Sequence, residues 1–98
     1  MRTFRTYQIA VLFYRQAVAQ RLPGYQKDQF RRAAASIALN LAEGSARHGR
    51  KDQKRFFNIA LASLRECQAV IDLEEIDNHE LREQADRLGA HLFKLISS

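Results

Sequence analysis

A block of positive charge lies near the middle of this 98-residue chain. Within nine residues the block contains five Lys and Arg side chains and one His, with a single acid, Asp52. Its members are Arg47, His48, Arg50, Lys51, Lys54 and Arg55. Contacts to phosphate require a dense set of reachable cations and little precision in side-chain placement. The block therefore predicts contacts to the phosphate backbone of a nucleic acid.

Two further cations, Arg31 and Arg32, are expected to join this block across a helical hairpin. The alternative is a solvated helix start with excess charge. Because positive charge is disfavoured at a helix N-terminus, the cost favours a functional reading. Phe56 and Phe57 are expected in the core, so no aromatic side chain is left to stack on bases. We expect backbone-directed binding with little sequence readout.

Other chemistry finds little support. His48, His79 and His91 are not spaced as zinc ligands, and the glycines do not form a phosphate-loop or dinucleotide fingerprint, so no metal or cofactor is expected. Glu43 and His48 could form an acid–base pair, but no nucleophile or oxyanion site accompanies them. We expect no catalytic residue, no enzymatic activity and no small-molecule substrate.

A polar motif precedes the block. Asn40 and Glu43 lie three residues apart among small and apolar residues, so they need hydrogen-bond partners, such as Ser63, a facing Arg or a backbone group. For Glu43 we expect Arg47, four residues later, or backbone donors at the turn. Gly44 is a predicted helix stop. We interpret Asn40, Glu43, Gly44 and Ser63 as a structural motif that fixes helix register, with direct ligand contact by Asn40 and Glu43 as the alternative.

The charge is divided unequally along the chain. Through Arg65 there are 13 Lys and Arg against 3 Asp and Glu, whereas from Glu66 onward there are 3 against 8. Such asymmetry indicates either a polyanionic partner for the basic part or head-to-tail pairing of unlike surfaces between copies.

Hydrophobic periodicity predicts an all-α fold, an antiparallel up-down-up-down four-helix bundle that forms a single domain over residues 1–98. Helices are expected near 5–21, 27–45 and 51–75, with the fourth starting at a capping box of Asp77 and Glu80. The predicted buried stripe of the first helix is Tyr7, Val11, Tyr14 and Val18. That of the second is Phe30, Ala34, Ile37 and Leu41. The third has a wide face of Phe56, Phe57, Ala60, Ser63, Leu64, Cys67, Val70 and Ile71, and the fourth has Leu81, Ala85, Leu88, Leu92 and Leu95.

Several apolar residues lie off these stripes, namely Ile9, Leu12, Phe13, Phe93 and Ile96. We expect them to be partly exposed in a monomer, which predicts self-association. Wide-faced packing in a monomer is the alternative.

The single cysteine, Cys67, is expected to be buried and reduced, and no apolar run is long enough to span a bilayer. These features favour a cytoplasmic protein. Residues 1–27 contain no acid, a feature also typical of a mitochondrial presequence, but their large apolar residues favour a folded segment.

The run RRAAASIALNLAEGSARHGRKDQKRFFNIALASLRE resembles the four-helix-bundle proteins encoded in intervening sequences of bacterial 23S rRNA, the S23 or IVS-protein family. It is also similar to the accessory variability determinant of diversity-generating retroelements. The matching residues are Ser36, Ile37, Asn40, Ala42, Glu43, Gly44, Arg47, Phe56, Ile59, Ala60, Ser63, Leu64 and Glu66. The resemblance implies a four-helix bundle, a homopentamer, RNA or DNA binding by a basic surface and, for the retroelement relatives, a reverse-transcriptase partner. Ala62 stands where the family commonly has Gly.

Our leading hypothesis is a non-catalytic, homo-oligomeric nucleic-acid-binding bundle. Its predicted phosphate contacts are Arg31, Arg32, Arg47, Arg50, Lys51, Lys54 and Arg55. The alternative is a scaffold or protein-interaction module whose basic surface binds an acidic protein.

Overall fold

The structure is a computed structural model that describes residues 2–98, with side chains from Thr3 onward. Its regular elements are four helices: α1 Arg2–Val18, α2 Gly24–Ser45, α3 Arg50–Leu73 and α4 His79–Ser97. No strand occurs within residues 2–98. The predicted all-α fold with four helices is confirmed.

The connection between α1 and α2 differs from its prediction. The sequence predicts that α1 runs to residue 21 and that α2 begins near 27, but α1 ends at Val18 and α2 begins at Gly24. Pro23 is the N-cap of α2 in an extended conformation, with φ −54° and ψ 148°, and its carbonyl accepts the first helical bond from the Lys27 amide at 2.8 Å. Gly24 is therefore the first helical residue of α2.

The C-terminus of α3 is closed by a Schellman motif. The Ile76 amide donates to the Ile71 carbonyl at 3.0 Å, and the Glu75 amide donates to the Asp72 carbonyl at 3.2 Å. Glu75 has φ 49°, the left-handed conformation that this motif requires and that glycine usually supplies. Ile71 and Ile76, the two positions that commonly form an apolar contact in this motif, are both buried. The helix ends two residues before the predicted residue 75.

The N-terminus of α4 is capped by Asn78, whose side-chain oxygen accepts from the Leu81 amide at 3.0 Å. The predicted capping box of Asp77 and Glu80 is wrong by one residue, because Asn78 is an equally good capping residue.

The predicted core faces of α2 and α4 are confirmed, since every residue of both stripes is buried. The face of α3 is confirmed for its six innermost residues, whereas Phe56 and Ser63 are only half-buried. Cys67 is buried, as predicted.

The predicted core face of α1 is wrong. The buried side chains are Thr6, Ile9, Ala10, Phe13 and Ala17, and Phe13 packs edge-to-face on Phe30 with ring centroids 6.4 Å apart. Of the predicted stripe, Tyr7 is exposed and Val11 and Val18 are half-buried, while Tyr14 is half-buried and packs against the core. Five apolar residues were predicted to be partly exposed. Leu12 and Phe93 are exposed and Ile96 is half-buried, whereas Ile9 and Phe13 belong to the core.

Each helix packs on two others in the order α1–α2–α3–α4–α1. The Thr6 hydroxyl in α1 and His91 Nδ1 in α4 are 3.4 Å apart, and Arg50 at the start of α3 contacts the Leu95 carbonyl near the end of α4. Gly44 near the end of α2 lies against Phe57 in α3. The start of α1, the end of α2, the start of α3 and the end of α4 therefore lie together, and we call this region the basic end.

Candidate nucleic-acid interface

The predicted phosphate-contact block forms the turn between α2 and α3 and the first turns of α3, at the basic end. Most of its side chains are exposed or half-buried. Their charges are not equally available, because the arginines of the block have partners within the chain.

Arg47 is held by two carboxylates. One of its Nη atoms donates to Glu43 Oε2 at 2.7 Å, and its Nε lies 3.8 Å from Asp52 Oδ2. The pairing of Glu43 with Arg47 is confirmed. The contact leaves Glu43 directed toward the turn and bound to a cation, so its charge offsets part of the block.

Arg55 and Arg47 share one aromatic ring. The guanidinium carbon of Arg55 lies 4.4 Å from the Phe56 ring centroid, and that of Arg47 lies 4.7 Å from it. Arg55 also binds Asp52 Oδ1 at 3.3 Å. The expectation that Phe56 belongs to the core is wrong, since it lies half-buried within the block as a cation–π platform. Its ring is occupied by arginine and is not free to stack on a base.

Arg50 binds the end of α4. Its Nη2 donates to the Leu95 carbonyl, to the Ser98 carbonyl at 2.8 Å and to the Ser98 hydroxyl at 3.3 Å. Carbonyl groups at a helix C-terminus lack intrahelical partners and carry partial negative charge. Arg50 therefore ties the first residue of α3 to the last turn of α4.

Lys51 and Lys54 are the block's unpaired cations. Within residues 2–98 neither ammonium group has a hydrogen bond or an ion pair. Lys51 is exposed and Lys54 is half-buried. Their charge is fully available to an external anion.

Arg31 and Arg32 do not join the block. Arg32 precedes Arg47 by 15 residues in the chain, which corresponds to about 22 Å along a helix. Arg32 pairs with Asp28 at 2.9 Å, and Arg31 donates from Nε to the Tyr14 hydroxyl at 3.4 Å. The hydrogen bond from Arg31 to Tyr14 raises the pKa of this guanidinium. The expectation of one continuous cluster across the hairpin is wrong, because these residues lie too early on α2.

The polar motif links α2 to α3 through a residue that had no assigned role. Ser63 donates its hydroxyl to Ser36 Oγ at 2.8 Å, and Asn40 donates from Nδ2 to Ser36 Oγ at 3.0 Å and to the Ser36 carbonyl at 2.8 Å. Ser36 precedes Asn40 by one helical turn, and this spacing is the signal in the sequence that could have identified it.

Gly44 belongs to the last turn of α2 and is not a terminal glycine in the left-handed conformation. A Cβ at Gly44 would lie 2.6 Å from Phe57 Cε1 and 3.1 Å from the Phe56 Cβ. The predicted role as a helix stop is therefore replaced by one in packing, because only glycine allows α3 to approach this closely.

Residues 2–98 contain neither a cluster of metal ligands nor a membrane-spanning helix, and their one thiol is not reactive. No three His, Cys, Asp or Glu side chains there come together as a possible metal site. None of the described helices has both the length and the apolar character needed to cross a membrane. Burial raises the pKa of the Cys67 thiol to about 12, with a further contribution from Glu66, so the thiol stays protonated.

The fold and the site together define a helical protein with an excess of cations at one end. The family model of the 23S rRNA-intervening sequence protein matches residues 5–97, and the chain belongs to this family. No curated protein and no solved structure matches the chain. The predicted family resemblance is confirmed, while the similarity to the retroelement proteins stays a prediction.

Proposed function

We propose that this protein is a non-catalytic nucleic-acid-binding protein that contacts backbone phosphates with its basic end. The observation that carries the proposal is the pair Lys51 and Lys54, which have no partner in residues 2–98 and stand beside Arg47, Arg50 and Arg55. Unpaired cations next to further cations create a positive potential that attracts a polyanion.

The seven predicted contact residues differ in how much of their positive charge is available to phosphate. Lys51 and Lys54 contribute full charges. Arg47, Arg50 and Arg55 contribute the donors that their internal partners leave free. Arg31 and Arg32 act, in this proposal, as a separate minor site nearer the start of α2. RNA is the first ligand to test, because the name of the family refers to 23S rRNA; duplex DNA is the second.

We also propose that the four helices run up-down-up-down and that the protein assembles as a homo-oligomer, with five copies as the resemblance implies. The outward face of α1 supports self-association, since Phe4 is 60% exposed, Tyr7 37% and Leu12 49%. Exposed apolar side chains in one patch are typical of an interface.

A cytoplasmic location and a reverse-transcriptase partner belong to the same proposal.

The alternative is a scaffold whose basic end binds an acidic protein. The unequal charge along the chain favours this reading over a catalytic one, and the acidic partner could be the Glu66–Ser98 part of a neighbouring copy. Light scattering tests the shared assembly: a monomer at micromolar concentration would remove the oligomer from both readings.

A salt titration of binding tests the proposed function. We expect the affinity for a single-stranded RNA or duplex DNA probe to fall steeply with ionic strength, because binding releases counterions. Replacement of Arg50, Lys51, Lys54 and Arg55 by Ala should weaken binding and flatten the salt dependence. An affinity that is flat with salt, or unchanged in this variant, would refute the proposal.

A further inference from the structure

A second group of basic side chains, three cations and one imidazole, lies along the seam between α1 and α4. Arg87, His91 and Lys94 follow each other at spacings of four and three residues, which places them on one face of α4. The Thr6 hydroxyl contacts His91 Nδ1 at 3.4 Å and brings the preceding residue, Arg5 of α1, to the same seam. We call Arg5, Arg87, His91 and Lys94 the seam row.

The seam row is not neutralised within the chain. In the described part of the protein Arg5, Arg87 and Lys94 have no side-chain hydrogen bond or ion pair, and all three are exposed. Helix α1 contains no acid, and α4 contains none after Asp86. The basic block differs in this respect, because Glu43 and Asp52 bind two of its arginines.

The electrostatic effect of the row is visible at His91. Desolvation lowers the pKa of this imidazole, and the charges of Arg87, Arg5 and Lys94 each lower it further. Charges on both α1 and α4 therefore act on the His91 imidazole. Their common sign makes the seam a region of positive potential.

The seam row is also continuous with the basic block. Arg50 contacts the Leu95 carbonyl, so the first turn of α3 adjoins the residue that follows Lys94. Lys51 follows Arg50 directly in the chain. Unpaired cations thus extend from the start of α3, across the end of α4, to the start of α1. Along α4 alone the distance from Arg87 to Lys94 is about 10 Å.

A row of this length and uniform sign fits a ligand that repeats its negative charge regularly. A phosphodiester backbone does so, with one charge for each nucleotide of a strand. A small anion would contact only one or two of these side chains. Binding of an acidic protein to the row is the competing outcome, which the poly-glutamate probe below tests.

We propose that the seam row is a second phosphate-contact site, joined to Lys51 and Lys54, along which a nucleic-acid strand continues from the start of α3 to the α1–α4 seam. This inference rests on the proposed function. It extends the interface to the part of the chain after Glu66, whose net charge is negative.

The test compares variants of the full chain in salt titrations with a single-stranded RNA probe. The seam variant carries Arg5→Ala, Arg87→Ala and Lys94→Ala. The matched control carries Arg21→Ala, Lys27→Ala and Arg65→Ala, which removes the same charge from exposed positions outside the interface. A third variant, Arg5→Lys with Arg87→Lys, keeps the charge and reports any structural effect of losing the arginines.

We expect the slope of log K against log salt to fall by about 2 in the seam variant, and the affinity near physiological salt to fall about tenfold. The control and the Lys variant should bind like the wild type. A seam variant that binds like the wild type, while Lys51→Ala with Lys54→Ala weakens binding, would overturn the seam row and leave the proposed function intact. A wild type that binds poly-glutamate but no RNA would overturn both.

Discussion

Gly44 in α2 lies so close to Phe57 in α3 that a Cβ on Gly44 would be 2.6 Å from Phe57 Cε1. Phe57 is 1% exposed and cannot move aside into solvent. We therefore expect Gly44→Ala to destabilise the protein by about 1 kcal/mol, because the steric cost exceeds the gain in helix propensity of roughly 1 kcal/mol. Chemical denaturation measures the change in unfolding free energy.

Gly89 in α4 supplies the matched control. A Cβ there would lie 3.5 Å from Leu64 Cδ2, an ordinary van der Waals contact. Gly89→Ala should stabilise the protein by up to about 1 kcal/mol through helix propensity alone. If both alanine variants were stabilised equally, the close approach of α2 and α3 at Gly44 would be wrong.

Glu75 pays a conformational cost at the end of α3, since its φ of 49° is unfavourable for any residue with a Cβ. We predict that Glu75→Gly raises the unfolding free energy by about 1 kcal/mol. The Glu75→Ala variant removes the same charge but keeps the Cβ, so it should gain little. Thermal melting of the two variants separates the backbone effect from the charge effect, and equal melting temperatures would argue against a left-handed Glu75.

Arg50 and Lys51 are neighbours in sequence but should differ in effect. Arg50→Ala removes the hydrogen bonds to the Leu95 and Ser98 carbonyls and should cost about 1–2 kcal/mol of stability. Lys51→Ala removes an exposed side chain and should change stability by less than about 0.5 kcal/mol. Denaturation of both variants checks this difference. A loss of RNA affinity without loss of stability in Arg50→Ala would contradict the assignment of Arg50 to the end of α4.

We predict that titration of His91 makes the stability of the protein depend on pH. Its folded-state pKa lies below the ordinary value of 6.5 because of desolvation and the charges of Arg87, Arg5 and Lys94. The unfolded chain therefore binds the proton more readily, and stability is complete above about pH 6.5 and declines as the pH falls through the folded-state pKa. The loss of melting temperature between about pH 7.5 and 5 should be smaller in His91→Gln than in the wild type, because Gln does not titrate. An identical loss in both proteins would contradict this contribution.

The sequence predicted the core faces of α2 and α4 correctly, because each has one apolar stripe opposite polar residues. Helix α1 has apolar residues on both faces, so periodicity alone could not decide between them. The structure buries the face with Ile9 and Phe13, leaves Tyr7 exposed and places Tyr14 half-buried against the core. Tyrosine hydroxyls need a polar partner, and Tyr14 finds one in Arg31.

The sequence predicted where the positive charge of the candidate site is concentrated. It did not predict which of these cations have partners within the chain. Glu43 and Arg47 are four residues apart, so their pairing followed from helical spacing. The partner of Arg50 is 45 residues away, and Thr6, which contacts His91, comes from the opposite end of the chain. Such contacts depend on how the helices pack, which local patterns do not specify.

The most direct test of nucleic-acid binding at the basic end compares the salt dependence of RNA affinity in two double variants. Lys51→Ala with Lys54→Ala removes the two unpaired cations of the block, and Arg21→Ala with Lys27→Ala removes the same charge elsewhere. We predict that the first variant reduces the slope of log K against log salt by about 1.4 relative to the wild type and that the second leaves it unchanged. Equal slopes in all three proteins would contradict a phosphate-binding role for the start of α3.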